Sequence, residues 1–242
     1  MVGVTALWLW FCAIGLLPLA TAMTLNYMAP IWISGILFVV AWRAGKRRFE
    51  WGLVLAITAS FIGVTLLLRP SIHADQWLGG FLGLCSGALS ALAYLQVRHL
   101  GQLGEPESRV VFYFSLTGFI AGLGGCLFGP GLNGESISLL RSHSTYGMCL
   151  LLSIGVFAAI AQMAMTRAYR LGNTLVTANL QYTGIVFSSI WGVLIWSDIL
   201  GFFSWLGIAI ILVSGIVATF YNIRNSATVK TVTAADPIST EL

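Results

Sequence analysis

The sequence predicts an all-α polytopic membrane protein of about eight transmembrane helices, and three observations lead there. Charge is scarce: 12 Lys and Arg and 8 Asp and Glu make up 8% of 242 residues, against about 25% in a soluble domain. Apolar residues reach 58% and mean hydropathy is +0.91, more than a soluble fold could cover with polar surface. The charges are also segregated. Residues 1–42, 51–68, 76–97, 110–134, 171–197 and 199–223 contain no Asp, Glu, Lys or Arg. A hydrocarbon core needs roughly 20 apolar helical residues, and these windows fit that length. A membrane barrel would show alternating polarity over about ten residues, whereas these runs are apolar on every face. Unpaired backbone in lipid is prohibitive, so such runs become helices.

The helices are expected at 2–16, 19–42, 49–69, 77–98, 109–128, 146–168, 172–197 and 201–222. The polar, Thr- and Ala-rich residues 223–242 read as a disordered tail. The first span is short and has no basic residue before it, unlike a secretory signal. The expectation is that the sequence starts partway into a helix.

Basic residues set the orientation. Arg43, Lys46, Arg47, Arg48, Arg98, Arg109, Arg167, Arg170, Arg224 and Lys230 fall on one side of an eight-span scheme. Arg69 and Arg141 fall on the other. The positive-inside rule makes the first side cytoplasmic, with both termini there. A one-helix error in the count would scatter these charges. Trp42 and Trp51 bracket the basic loop, and Trp77, Trp196 and Trp205 mark the opposite interface. The modest basic excess explains orientation and points to no nucleic-acid partner.

Cys12, Cys85, Cys126 and Cys149 lie in apolar runs without CxxC spacing and read as packing residues. His73, His99 and His143 have no partner at metal-ligand spacing. GxSxG, HExxH, a phosphate-binding Gly-Lys loop and deep acid pairs are all missing from the sequence. The reading is therefore not an enzyme, with no cofactor and no metal implied. Gly79, Gly83 and Gly87, then Gly118 and Gly122, follow small-xxx-small spacing. They suit close helix packing within the monomer, or alternatively a homodimer interface.

Leu25-Asn26-Tyr27 and Leu180-Gln181-Tyr182 align at an offset of 155, with Ala6/Ala161, Ser34/Ser189 and Gly52/Gly207 among the coincidences. Five spans separate the two copies, so they run in opposite directions, as in the inverted repeats of transporters. The runs GLLPLATAMTLNYMAPIW (15–32), GVTLLLRP (63–70) and GVFAAIAQMAMTRAYRLGNTLVTANLQYTGIVFSSIWGVLIWSD (155–198) resemble an EamA-type transporter of the drug/metabolite transporter superfamily. The resemblance implies an inverted-repeat bundle in a bacterial inner (plasma) membrane. It implies alternating-access movement, directed outward, of an amino-acid-like or drug-like solute. Residues 1–70 would form a partial first repeat of three helices, 71–222 a second repeat of five, and 223–242 the cytoplasmic tail. The family has ten helices, so the resemblance implies that the first two are missing here. It also makes the first, second, sixth and seventh spans the cavity wall.

No ionisable group falls at mid-membrane, so the sequence gives no positive sign of proton coupling. Polar uncharged groups do. Asn26, Tyr27 and Pro30 lie near the middle of the second span, Gln162 in the sixth, and Asn179, Gln181 and Tyr182 in the seventh. Pro30 removes a backbone hydrogen bond near Asn26. These residues either line a cavity for a small-molecule solute or join helices at about 0.6 kcal/mol per bond. The aromatic run Trp8, Trp10 and Phe11 either faces the cavity or packs on lipid and neighbouring helices. A non-transporting membrane protein, such as an inactive fragment or a packing partner, is the alternative function. A reporter fused to the C-terminus is expected on the cytoplasmic side; alkaline phosphatase activity from that fusion would refute the orientation.

Overall fold

Charge-free runs of this length can satisfy their backbone in lipid only as helices, and ten α-helices form among the described residues. They are α1 Val2–Leu16, α2 Leu19–Asn26, α3 Ala29–Arg43, α4 Trp51–Leu68 and α5 Trp77–Gln102. After them come α6 Glu107–Phe128, α7 Thr145–Leu171, α8 Thr174–Leu180, α9 Thr183–Trp196 and α10 Phe202–Ala234. This computed structural model describes residues 1–45, 50–69, 76–128, 144–197 and 199–234, with the backbone alone at 126–128, 196 and 223–234. Lys46, Arg47, Arg48, His73, Arg141 and His143 lie outside the described residues, as do the side chains of Cys126, Trp196, Arg224 and Lys230.

Two expected spans are each broken in two. Leu19–Arg43 comprises α2 and α3, and α8 and α9 together cover the seventh span. Counting each pair once, six segments are long and apolar enough to cross a membrane: Leu19–Arg43, Trp51–Leu68, Trp77–Gln102, Thr145–Leu171, Thr174–Ile195 and Phe202–Asn222. α1, at 15 residues, and α6 are the remaining two of the expected eight. One boundary differs clearly. α10 continues as helix to Ala234, past the expected end at residue 222, so residues 223–234 do not form the disordered segment read from their polarity. Extending an existing helix fixes one residue per hydrogen bond and avoids the nucleation cost.

Local chemistry sets the ends. Leu17, before Pro18, is extended at φ −126° and ψ 156° and stops α1. Ser144 caps α7 by accepting from the Gly147 N–H at 3.2 Å, and Asn173 caps α8 by accepting from the Leu175 N–H at 2.9 Å. Gly104 follows α5 at φ +86°, a conformation costly for other residues.

Contacts between the connecting segments gather the basic ones at a single end. Asn173, between α7 and α8, donates to Glu50 before α4 and to Asn222 in α10. Arg170 pairs with Glu107 at the start of α6 at 2.9 Å. At the other end, Arg69 lies 5.5 Å from the Phe203 ring centroid.

The interior mixes an apolar core around Ile33, Leu53, Ile57 and Ile211 with many small and hydroxyl-bearing residues. Ala13, Ala22, Ala91, Ala178, Thr21, Ser60 and Ser86 are fully buried, while Leu152, Ile154, Phe157 and Phe220 face outward. Lipid gives apolar side chains no reason to turn inward, so close backbone approach and hydrogen bonds hold the helices. α10 lies antiparallel along α4, the most extensive pairing in the molecule. Gly63 and Gly207 meet there backbone to backbone, and a Cβ on Gly63 would stand 2.7 Å from the Gly207 carbonyl oxygen. α1 and α2 pack on α5, where Gly79 receives Leu17 and Gly83 receives Leu25.

Gly207→Val is expected to cost about 1–3 kcal/mol, because the neighbouring backbone cannot yield. Gly155→Ala, in open space, should be neutral or gain up to about 1 kcal/mol of helix propensity. Reversible unfolding in mixed micelles measures both, and equal effects would show that the Gly63–Gly207 approach carries no weight.

Candidate functional site

The two helix breaks come from different chemistry. Pro30 is the second residue of α3 and has no N–H, so the Asn26 carbonyl four residues earlier loses its helical donor. α2 stops there, and α3 restarts with its proline in the first turn, where a missing donor costs nothing. The Leu25 and Asn26 carbonyls lie over Gly87 of α5, where a Cβ would come within 2.8 Å and 3.3 Å of them. Between α8 and α9 there is no proline. The N–H groups of Gln181, Tyr182, Gly184 and Ile185 each bond three residues back, to Ala178, Asn179, Gln181 and Tyr182, at 3.1–3.3 Å. That tight turn replaces the α-helical ladder in mid-span, a common mark of a hinge. The breaks approach each other: the Tyr27 and Tyr182 ring centroids are 6.2 Å apart.

Beside them lies a cavity of about 550 Å³. Its lining runs from Glu105 and Arg109 at the basic end to Asn26 at the first break. α1 contributes Leu7 and Trp10, and α5 contributes Ser90, Tyr94 and Gln96. Tyr113 and Phe114 come from α6, and Gln162, Thr166 and Tyr169 from α7. Tyr94 and Tyr169 stack at 5.0 Å with their planes 7° apart. Arg109 pairs with Glu105 at 2.7 Å and is 59% exposed, so this pair sits in water at the mouth. It contributes on the order of 0.2–1 kcal/mol to stability. The wall is built from the first, fourth, fifth and sixth spans plus the end of α2. The seventh span, expected in the wall, contributes no lining residue among those described.

Of the residues singled out from the sequence, Asn26 and Gln162 line the cavity. The Asn26 amide donates to Ser86 Oγ at 2.8 Å, and Ser86 donates to the Ala6 carbonyl at 3.0 Å, joining α2, α5 and α1. Asn179 is buried away from the cavity and accepts from Ser60 Oγ at 2.7 Å; Ser60 also bonds Ser214. That cluster ties α8 to α4 and α10. Gln181 donates weakly to Met165 Sδ at 3.9 Å, close to the hydroxyls of Tyr94 and Tyr169. Tyr182 is fully buried, and Pro30 is buried at the start of α3. Trp8 packs on Gly125 of α6, and Phe11 is 59% exposed, so from the aromatic run it is Trp10 that faces the cavity. Gly3, Leu7 and Trp10 share one helical face at i, i+4 and i+7. The Tyr94–Tyr169 pair was missed. Both residues sit close to basic ends of spans, where interfacial tyrosines are ordinary.

Five hydrogen-bonding groups stand out energetically. The Trp10 indole N–H, the Tyr169, Thr174 and Tyr182 hydroxyls and the Asn179 amide nitrogen are buried without a short hydrogen bond among the described residues. Each such group forfeits about 1–3 kcal/mol relative to a satisfied one.

No family model matches the chain. It is 27% identical over 201 residues to "Pseudopaline exporter CntI" of Pseudomonas aeruginosa, covering 82% of this chain and 65% of that protein. The chain thus spans a little under two thirds of that exporter's length. It is 26% identical over 219 residues to an "Uncharacterized transporter" of Helicobacter pylori, covering 89% of this chain and 70% of that one. A "Probable transport protein" of Saccharomyces cerevisiae is 22% identical over 224 residues, covering 83% and 60%. A solved crystal structure superposes with a TM-score of 0.74 over 90% of this chain and 76% of its own, at 18% identity, and so shares the fold.

Ser60→Ala removes the hydroxyl that links Asn179 to Ser214 and leaves a buried acceptor bare. The expected loss is about 1–3 kcal/mol in micellar unfolding. A variant as stable as the native protein would mean that the cluster contributes nothing.

Proposed function

We propose that this chain is a membrane carrier that exports a small solute by alternating access, built on the EamA-type inverted repeat. The observation that carries the reading is the cavity running from the basic end to the broken middle of a span. Transporters place their sites near the midplane, at discontinuous helices in corresponding positions of two repeats. α2 starts at Leu19 and α8 at Thr174, the offset of the Asn26-Tyr27 and Gln181-Tyr182 alignment, and both are followed within nine residues by a break. The relatives named as transporters lend support.

In this reading the basic end is cytoplasmic, in a bacterial inner membrane, and solute loads from the cytoplasm. At the opposite end Leu17 and Leu25, seated on Gly79 and Gly83, close the way out. Export requires these contacts to open and the basic end to shut, two packings within a few kcal/mol of each other. The breaks at Asn26 and Gln181 supply the flexing points.

The same reading includes two further helices of the first repeat. α7 supports them: it buries only Thr166 and Tyr169, and Leu150, Leu152, Ile154, Phe157 and Ile160 lie exposed around it. That bare helix also favours a second reading, in which the chain by itself is an inactive wall of a carrier and acts only in helix packing.

Cells expressing the protein are to be challenged with a panel of toxic amino acids and metabolites, alongside the form extended by two upstream helices. Tolerance to at least one compound is expected. Asn26→Ala should cut it roughly three- to tenfold by removing the Ser86 link, as should Gln181→Ala. Tolerance from neither form would end the carrier reading, and tolerance from the extended form alone would favour the second.

A further inference from the structure

Two polar groups of residues lining the cavity are buried without a partner. The Trp10 indole N–H on α1 and the Tyr169 hydroxyl on α7 belong to lining residues and are buried; the indole has no hydrogen-bond partner among the described residues, and the hydroxyl makes no short bond, with only the Gln181 side chain near it. Tyr169 is 0% exposed and is held by its stack on Tyr94. The charged side chains of the lining, Glu105 and Arg109, stand at the mouth and neutralise each other. Deeper in, the surface is aromatic and uncharged, with Asn26 and Gln162 as its amides.

We infer that Trp10 and Tyr169 form the anchor of the solute site. The site takes a net-neutral molecule with an aromatic or apolar body and carbonyl-type oxygen acceptors. This rests on the carrier reading and specifies its solute. The acceptor requirement follows from the orphan donors, because a ligand oxygen supplies the bonds that the protein withholds. Neutrality follows from the absence of a countercharge at depth, since a desolvated ion without a partner is strongly disfavoured. The apolar body follows from the rings of Trp10, Tyr94, Phe114 and Tyr169, which offer large contact area and edge or face geometry. Both atoms belong to lining residues but are closed to the cavity here, so a solute oxygen engages them through the side-chain adjustments common on binding.

The probe is radiolabelled N-acetylphenylalaninamide, measured by equilibrium dialysis against the full chain in lipid nanodiscs. Saturable binding is expected. Trp10→Phe and Tyr169→Phe keep the rings and remove one donor each, and each should weaken binding by about fivefold. The carboxylate analogue N-acetylphenylalanine should bind at least tenfold more weakly. Tyr169→Phe should melt no lower than the native protein, because the hydroxyl it removes makes no short bond. The inference is overturned if the probe does not bind saturably or if both variants bind within twofold of native. It is equally overturned if the carboxylate binds as well as the amide, or if Tyr169→Phe melts well below native. Binding in this pattern without uptake into inverted vesicles supports the anchor and overturns the carrier reading. Uptake of the probe unchanged in both variants does the reverse.

Discussion

In a bilayer each helix satisfies its own backbone, and what remains to hold helices together is contact and a few polar bonds. Everything in this molecule depends on that constraint. Gly63 and Gly207 let α4 and α10 meet at backbone distance, and Gly79, Gly83 and Gly87 give α5 a notched face for α1 and α2. Buried Ser, Thr and Ala stand beside a core of Ile33, Leu53, Ile57, Ile185 and Ile211, while many other large apolar side chains turn outward to lipid.

The same constraint makes the helix breaks informative. A break in lipid exposes carbonyls and amides that water cannot satisfy, so it survives only against protein or a cavity. The first break is laid on Gly87 and held by the Asn26–Ser86 bond. The second is tightened into three-residue hydrogen bonds and braced by Asn179 on Ser60. The two clusters are alike in chemistry, an amide to a serine hydroxyl, although they fall on opposite sides of the Tyr27–Tyr182 contact. One of them borders the cavity and the other closes a packed interface. The polar residues of the second and seventh spans therefore divide between the cavity wall and a packed interface.

The bundle is also uneven. α4, α8 and α10 share a continuous core with α3, while α7 reaches it only at its end, through Tyr169 and Met165. A carrier needs one body that stays packed and another that can move against it. α7, bearing Gln162, Thr166 and Tyr169, buries only two residues, and α6 buries none of its described side chains, so this side of the cavity wall is the less tightly packed one.

The sequence alone determined the membrane environment, the helical class, the positions of the spans and the backbone bond that Pro30 removes near Asn26, though not that the span breaks there. These follow from charge exclusion, run length and a proline, each a local property that no neighbour can reverse in lipid. The second break was not legible. Its turn contains no proline or special residue, and only packing against Ser60 and Tyr27 selects it over straight helix. Asn26 and Gln162 could be named in advance as deep polar groups, but Asn179 looked the same and went to a different interface. Which face of a uniformly apolar helix turns inward is set by the helices around it. That is why Trp10 rather than Trp8 or Phe11, and the Tyr94–Tyr169 stack that joins residues 75 positions apart, came from the tertiary structure.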